Sequence, residues 1–134
     1  MYLFLNNLIK EKVYLALFDN QKKLIKERFL FKEKRAGAKL LKGIKEILLD
    51  NGSVLGDIET IVVVNGPGRF SAIRKALSVV NTIGWLEKIP VLGVSNNKGD
   101  KENKDLFLKA IKKDYNKGTF HMALPYYGKD PNIT

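Results

Sequence analysis

The chain has 134 residues, 45% of them hydrophobic and 28% charged, a composition that fits one globular domain and excludes a disordered chain. It has no cysteine, which excludes disulfides, thiolate metal sites and a cysteine nucleophile. It has one histidine, His121. The formal net charge of +10 is spread along the chain, so either an RNA-binding surface or a lysine-rich solvated surface would explain it.

Three short strands are predicted over the N-terminal part. Residues 1–9 and 12–19 are mostly apolar at odd and even positions alike, and residues 24–33 follow after the polar turn "DNQKK". The short links between them favour an antiparallel meander. The apolar start is too short for a membrane span and lacks a basic leader and a small-residue cleavage site, so we expect a cytoplasmic protein without membrane contact.

Helical spacing begins at residue 36. In residues 36–50, leucine and isoleucine recur at i, i+1, i+4, i+7 and i+8, which predicts an amphipathic helix that ends at "DNG". Residues 60–64, "TIVVV", predict a strand covered on both faces. Residues 70–86 predict a second helix, and its apolar residues surround most of the circumference. Such a helix is either deeply buried or in contact with a partner.

Smaller elements follow. Residues 89–95 predict a buried strand, 105–116 a helix, 118–124 a further strand and 125–134 an extended tail. The order β-β-β-α-β-α-β-α predicts an α/β fold with a mixed sheet and helices on its faces. The ribonuclease-H-like lobe of the sugar-kinase, actin and Hsp70 group has this order. We interpret His121, in an apolar stretch, as a structural imidazole.

The stretch "NGPGR" joins a predicted strand to a predicted helix, where α/β sheets usually hold a ligand. Exposed N–H groups, the helix dipole, Arg69 and Arg74 would favour an anion there. Alternatively, Gly66, Pro67 and Gly68 only shape the turn. The stretch matches neither the Walker pattern nor G-x-G-x-x-G, so both interpretations stay open.

No catalytic residue, metal ligand or cofactor is predicted. An enzyme on this fold needs acidic residues at strand ends to hold magnesium, but the first strand ends in Asn6-Asn7-Leu8. We interpret Asp19 and Asp57 as turn residues. A self-sufficient enzyme is therefore hard to build from this sequence.

Residues 64–95 resemble the TsaB (YeaZ) family, whose members carry G-P-G-S-F-T-G-L-R, then a long apolar helix, then I-P-x-x-G-V-S. The residues that match at the right spacing are Gly66, Pro67, Gly68, Phe70, Arg74, Pro90, Gly93, Val94 and Ser95. The order of elements before this stretch agrees. The tail "PYYGKDPNIT" is similar to the family's Pro-x-Tyr-x-(Arg/Lys)-x-Pro-x-Ile ending.

The resemblance implies a scaffold without catalytic activity. TsaB proteins are similar to their paralogue TsaD but lack its metal-binding histidines. They pair with TsaD, and with the ATPase TsaE, in making threonylcarbamoyladenosine next to the tRNA anticodon, with indirect or weak tRNA contact. The pairing uses two helices in a four-helix bundle, here residues 36–50 and 70–86. The partner-interface residues that follow from this are Leu41, Ile44, Leu48, Ala72, Ala76, Val79 and Ile83.

Three departures from the family pattern weaken any nucleotide site. The chain has "NNL" in place of Asp-Thr-Ser, "RAGAKLL" in place of a His-Ser/Ala-Glu-like helix start, and "RFSAIR" in place of S-F-T-G-L-R. Residues 96–134 are few for the family's second lobe. We therefore expect one lobe over residues 1–95 and a remnant of a second lobe over 96–134, in one compact unit.

Two other functions stay open, an ATP-binding or peptidase-like enzyme of the same fold and a small basic RNA-binding module. A homodimer through residues 36–50 and 70–86 is also expected when the partner is absent, because a largely apolar outer helix should not stay exposed.

Overall fold

The computed structural model describes residues 1–31, 39–97 and 101–127. In this part of the chain the elements follow in the order β1 (Tyr2–Asn6), β2 (Lys12–Phe18), β3 (Leu24–Phe31), α1 (Lys39–Asp50), β4 (Thr60–Gly66), α2 (Phe70–Glu87), β5 (Val91–Ser95) and α3 (Asn103–Ile111). A short 3₁₀ turn, Leu55–Asp57, precedes β4. The predicted α/β order β-β-β-α-β-α-β-α is confirmed.

The strands form one mixed sheet in the order β3-β2-β1-β4-β5. The β1–β2 and β2–β3 pairs are antiparallel, whereas β1–β4 and β4–β5 are parallel. Because α1 joins β3 to β4 and α2 joins β4 to β5, both helices run antiparallel to these strands. Their N-termini therefore lie at the same edge of the sheet.

Each face of the sheet has its own apolar core, and β4 contributes to both. Ile61 and Val63 face the core that contains α1 and α2, and Val62 and Val64 face the core that contains α3. Phe107 of α3 lies in this second core, where its ring stacks on an aromatic ring of β2 at 3.9 Å between centroids. The prediction that residues 60–64 are covered on both faces is confirmed.

Helix α1 packs on the sheet with the apolar stripe that the sequence predicts. Its buried residues are Leu40, Gly43, Ile44, Ile47 and Leu48. The helix ends at Asp50, where Gly52 takes a φ of +68° and the N–H of Ser53 donates to the carbonyl of Leu48 at 2.8 Å. This is the glycine-terminated helix end that "DNG" indicates.

The largest differences from the predicted elements lie after β5. Helix α3 ends at Ile111 and not at residue 116, because the turn-forming stretch "DYNKG" begins soon afterwards. Residues 118–124 form no strand. His121 makes one isolated bridge with Pro90, and its side chain is exposed, so its interpretation as a structural imidazole is wrong. The predicted helix start at 36–38 and the tail beyond residue 127 lie outside the described residues.

Candidate functional site

A later segment of the chain, residues 121–127, covers the glycine turn between β4 and α2, and we call it the covering segment. Gly66 has a φ of +144°, and a Cβ atom there would overlap the carbonyl oxygen of Tyr126. The N–H of Tyr126 donates to the carbonyl of Asn65 at 2.9 Å, and Asn65 Nδ2 donates to the carbonyl of Leu124 at 2.8 Å. Position 66 therefore requires glycine because two backbones meet there.

The covering segment is also fixed to α2 and β5. Asn81 of α2 makes two hydrogen bonds with the backbone of Ala123. Its Nδ2 donates to the Ala123 carbonyl at 3.0 Å, and its Oδ1 accepts from the Ala123 N–H at 2.9 Å. The N–H of Val91 in β5 donates to the carbonyl of His121 at 2.7 Å. These bonds replace the regular strand pairing that was predicted for residues 118–124.

Leu8, in the loop after β1, packs against the glycine turn as well. A Cβ atom on Gly68 would lie 3.0 Å from Leu8 Cδ2. The N–H of Leu8 donates to Asn6 Oδ1 at 3.0 Å, and Asn7 Nδ2 donates to the carbonyl of Ala72 in α2 at 3.0 Å. Protein atoms thus contact the turn at both glycines, whereas a phosphate cradle needs accessible N–H groups.

The two arginines predicted for an anion site differ in their surroundings. Arg69 is the N-cap residue of α2 and is exposed. The guanidinium carbon of Arg74 lies 5.2 Å from the ring centroid of Phe70, and the Phe70 ring stacks on Tyr127 at 5.4 Å between centroids. Arg74 is therefore engaged in a cation–π contact. Anion binding at this turn stays a prediction.

A cleft of about 640 Å³ lies on the face of the sheet that carries α3. Two pairs of its polar side chains are bonded to one another. Asn6 Nδ2 donates to Asn103 Oδ1 at 2.8 Å, and the Tyr14 hydroxyl donates to Glu27 Oε2 at 2.6 Å. Burial, together with this bond to Glu27, raises the pKa of Tyr14 above its ordinary value. The phenol is therefore a poor base near neutral pH.

Asp19 and Asp57 have the turn roles that were predicted for them. Asp19 Oδ1 accepts from the N–H groups of Gln21 and Lys23, each at 2.9 Å, and Asp57 Oδ2 accepts from the N–H of Val54 at 2.9 Å. Across the described ranges, no three His, Asp or Glu side chains are grouped so that they could hold a metal ion. Nor does any helix of the described ranges have the length and apolarity to cross a membrane.

Four of the seven residues predicted for the partner interface lie in the core. Ile44 and Leu48 of α1, with Ala76 and Ile83 of α2, are buried in the core on the α1–α2 side of the sheet. Helical spacing selected them correctly as an apolar stripe, but the stripe packs within the chain itself. Their assignment to an outer surface is corrected on this ground.

The other three predicted residues lie nearer the surface. Leu41 is 38% exposed, and Ala72 and Val79 are half-buried. Two leucines that were not selected for the interface are more exposed, Leu49 at 75% and Leu86 at 63%. In the sequence, Leu49 directly follows the buried stripe of α1 but lies outside its spacing. An apolar residue in that position is the signal that could have identified it.

Leu41 and Leu49 lie on the side of α1 next to α2, and Ala72, Val79 and Leu86 lie on the side of α2 next to α1. The other flank of α1 faces β3, where Arg28 forms ion pairs with Glu46 and Asp50. The other flank of α2 bonds to the covering segment through Asn81. The remaining flanks face each other and solvent, and we call this surface the outer helical face. Its residues at helical spacing are Leu41, Lys45 and Leu49 of α1 and Ala72, Lys75, Val79 and Leu86 of α2.

Comparison with known proteins gives a consistent family. A family model described as TsaD, tRNA N6-adenosine threonylcarbamoyltransferase, matches residues 33–111. The chain is 29% identical over 86 residues to the tRNA threonylcarbamoyladenosine biosynthesis protein TsaB of Buchnera aphidicola subsp. Schizaphis graminum, covering 64% of this chain and 36% of that protein. It is 34% identical over 61 residues to the tRNA N6-adenosine threonylcarbamoyltransferase of Nitrosospira multiformis, covering 46% and 18%.

Solved structures agree with the sequence relatives. YeaZ from Pseudomonas aeruginosa superposes with a TM-score of 0.63 at 25% identity, covering 71% of this chain and 43% of that one. A protein with similarity to peptidase YeaZ from the same organism gives the same values. The chain thus matches about a third of the TsaB relative's length and less than half of YeaZ. The chain belongs to the family that the TsaD model describes, and within it is a TsaB (YeaZ) family member.

Proposed function

We propose that the chain is a non-catalytic subunit that binds a TsaD-like protein in the biosynthesis of threonylcarbamoyladenosine in tRNA. Family membership supports the pathway, because one relative is named for this biosynthesis and another for the transfer of the threonylcarbamoyl group. The observation that carries the proposed binding role is the outer helical face, where Leu49 and Leu86 are mostly exposed.

The absence of catalysis is supported by how the glycine turn and the cleft are built. Tyr126 and Leu8 contact the two glycines of the turn, so both glycines are used in packing the fold. In the cleft, Asn6 and Tyr14 already have hydrogen-bond partners within the protein. Such a turn and cleft keep the fold of a catalytic relative, while several of their polar groups are already bonded within the protein.

A binding role is supported by the energetics of the exposed leucines. Removing a leucine side chain from water stabilises a complex by about 1.5–3 kcal/mol when burial is complete. Leu49 and Leu86 lie on adjacent helices, so one partner surface can cover both. An apolar centre with polar residues around it is the usual composition of a specific protein interface.

Gel filtration and calorimetry of the purified chain mixed with the TsaD-like protein of the same organism test this proposal. We expect a complex of both proteins, and a TsaE-like ATPase added afterwards should join it. Failure to form any complex at concentrations on the order of tens of micromolar would contradict the proposed function.

The homodimer that the sequence favours would use the same outer helical face and would compete with the partner. Val79 is half-buried at the edge of the core, beside the exposed leucines. If the isolated chain dimerises through this face, Val79→Arg should give a monomer in light scattering. An unchanged dimer mass would place that contact elsewhere.

A further inference from the structure

The outer helical face and the surface beside it are basic as well as apolar. Lys42 and Lys45 of α1 and Lys75 of α2 are exposed among the leucines. Lys42 lies 3.9 Å from a carboxylate oxygen of α1, and Lys45 and Lys75 have no ion pair among the described residues. Both acidic residues of α1 pair with Arg28 on the flank away from α2. No carboxylate of the described residues therefore neutralises Lys45 or Lys75 at ion-pair distance.

These lysines contribute little to the stability of the helices that carry them. The N-termini of α1 and α2 lie at one edge of the sheet, and each bears the partial positive charge of the helix dipole. The first turn of α2 contains no acidic residue, and Lys75 lies in its second turn. Lys75 gains no stabilisation from the dipole, and Lys45 and Lys75 have no ion pair among the described residues, so their charges are available to a partner.

We infer that the outer helical face binds a protein surface that presents aspartate and glutamate side chains around an apolar centre. This inference rests on the proposed function, and it assigns the acidic surface to the TsaD-like partner. The partner's carboxylates would pair with Lys45 and Lys75, while its apolar centre covers Leu49 and Leu86. Complementary charge of this kind speeds association and excludes partners of the wrong sign.

A second copy of the chain fits this face less well. Two-fold pairing of the same face places the same lysine-rich surface on both sides, with no unpaired carboxylate on α1 to offset it. RNA would satisfy the lysines through its phosphates but would leave Leu49 and Leu86 facing a charged backbone. An acidic protein surface satisfies both the lysines and the leucines.

The dependence of binding on salt separates these occupants. We expect the affinity for the TsaD-like protein, measured by calorimetry, to fall about tenfold between roughly 50 and roughly 300 mM NaCl. Self-association through the same face would change in the opposite direction, because salt screens the repulsion between like charges. Light scattering of the isolated chain over the same salt range measures that change.

Charge-reversal variants test whether the salt dependence of partner binding arises from Lys45 and Lys75. Lys45→Glu combined with Lys75→Glu should weaken partner binding by about tenfold or more. Lys113→Glu combined with Lys117→Glu makes the same change in net charge at exposed sites away from α1 and α2, and should leave binding near that of the wild type. Circular dichroism confirms folding of both variants. The neutral pair Lys45→Gln and Lys75→Gln should give an intermediate loss.

Each contrary outcome has its own meaning. If the wild type binds the partner but neither salt nor charge reversal alters the affinity, the inference is overturned and the proposed function stands. If no complex forms at either salt concentration, the proposed function itself fails. If Lys45→Glu with Lys75→Glu abolishes binding of purified tRNA and leaves partner binding intact, RNA is the occupant and the inference is overturned. Dimerisation that strengthens with salt and persists when the TsaD-like protein is added would overturn it in favour of a second copy.

Discussion

The backbone of Tyr126 lies directly against Gly66, so that the covering segment and the glycine turn form one packed unit. Replacing Gly66 by alanine puts a methyl group into the Tyr126 carbonyl at a φ of +144°. We expect Gly66→Ala to lower the free energy of unfolding by about 3 kcal/mol or more, measured by urea denaturation.

Gly52→Ala is the matched control. Gly52 also has a positive φ, +68°, but no atom lies within 4 Å of the position that its Cβ would take. Gly52→Ala should lower the free energy of unfolding only by the cost of placing alanine at a positive φ, which is about 1–2 kcal/mol. Equal losses for the two variants would show that the contact with Tyr126 contributes nothing.

The two hydrogen bonds between Asn81 and Ala123 should hold the covering segment on α2. Asn81→Ala leaves the N–H and the carbonyl of Ala123 without these partners, and we expect a cost of about 1–3 kcal/mol. Hydrogen exchange of the Ala123 amide should become faster. Thr82→Ala is the control, because the Thr82 hydroxyl donates to the carbonyl of Ser78 within its own helix. Unchanged exchange at Ala123 in Asn81→Ala would contradict the prediction.

The stability of the protein should fall at alkaline pH because of Tyr2. Burial, followed by the Glu59 carboxylate and Tyr115, raises the pKa of Tyr2 to about 12 from the ordinary 10.0. The fold thus favours the neutral phenol. This contribution is fully present below about pH 10 and is lost as the pH rises towards 12, which amounts to roughly 2–3 kcal/mol.

Tyr2→Phe isolates this effect from the titration of lysines. Urea denaturation at about pH 9 and about pH 12 should show a smaller loss of stability in the variant than in the wild type. The same loss in both proteins would mean that the pKa of Tyr2 has no part in the alkaline instability.

The sequence predicts well those elements whose pattern is local. The β-branched run of β4 is unbroken and the leucine stripe of α1 has helical spacing, and each packs as its pattern indicates. Helix α2 is different, because its apolar residues surround most of the circumference. Spacing alone does not show which of them face the sheet, and Ala76 and Ile83, which are predicted for the partner interface, are buried.

The covering segment was beyond prediction for another reason. It is held by the side-chain amides of Asn65 and Asn81, which bond to backbone groups 59 and 42 residues away. Such long-range bonds leave no periodic signal in the sequence. The requirement for glycine at position 66 could not be predicted for the same reason, since its close neighbour Tyr126 lies far along the chain.

In the proposed function, exposed leucines of the outer helical face bind a TsaD-like protein. Calorimetry with that protein should compare Leu49→Ser with Leu124→Ser, because Leu49 is 75% and Leu124 67% exposed and only Leu49 lies on this face. We predict that Leu49→Ser weakens binding by about tenfold or more and that Leu124→Ser leaves it unchanged. Equal affinities for the wild type and both variants would contradict the claim.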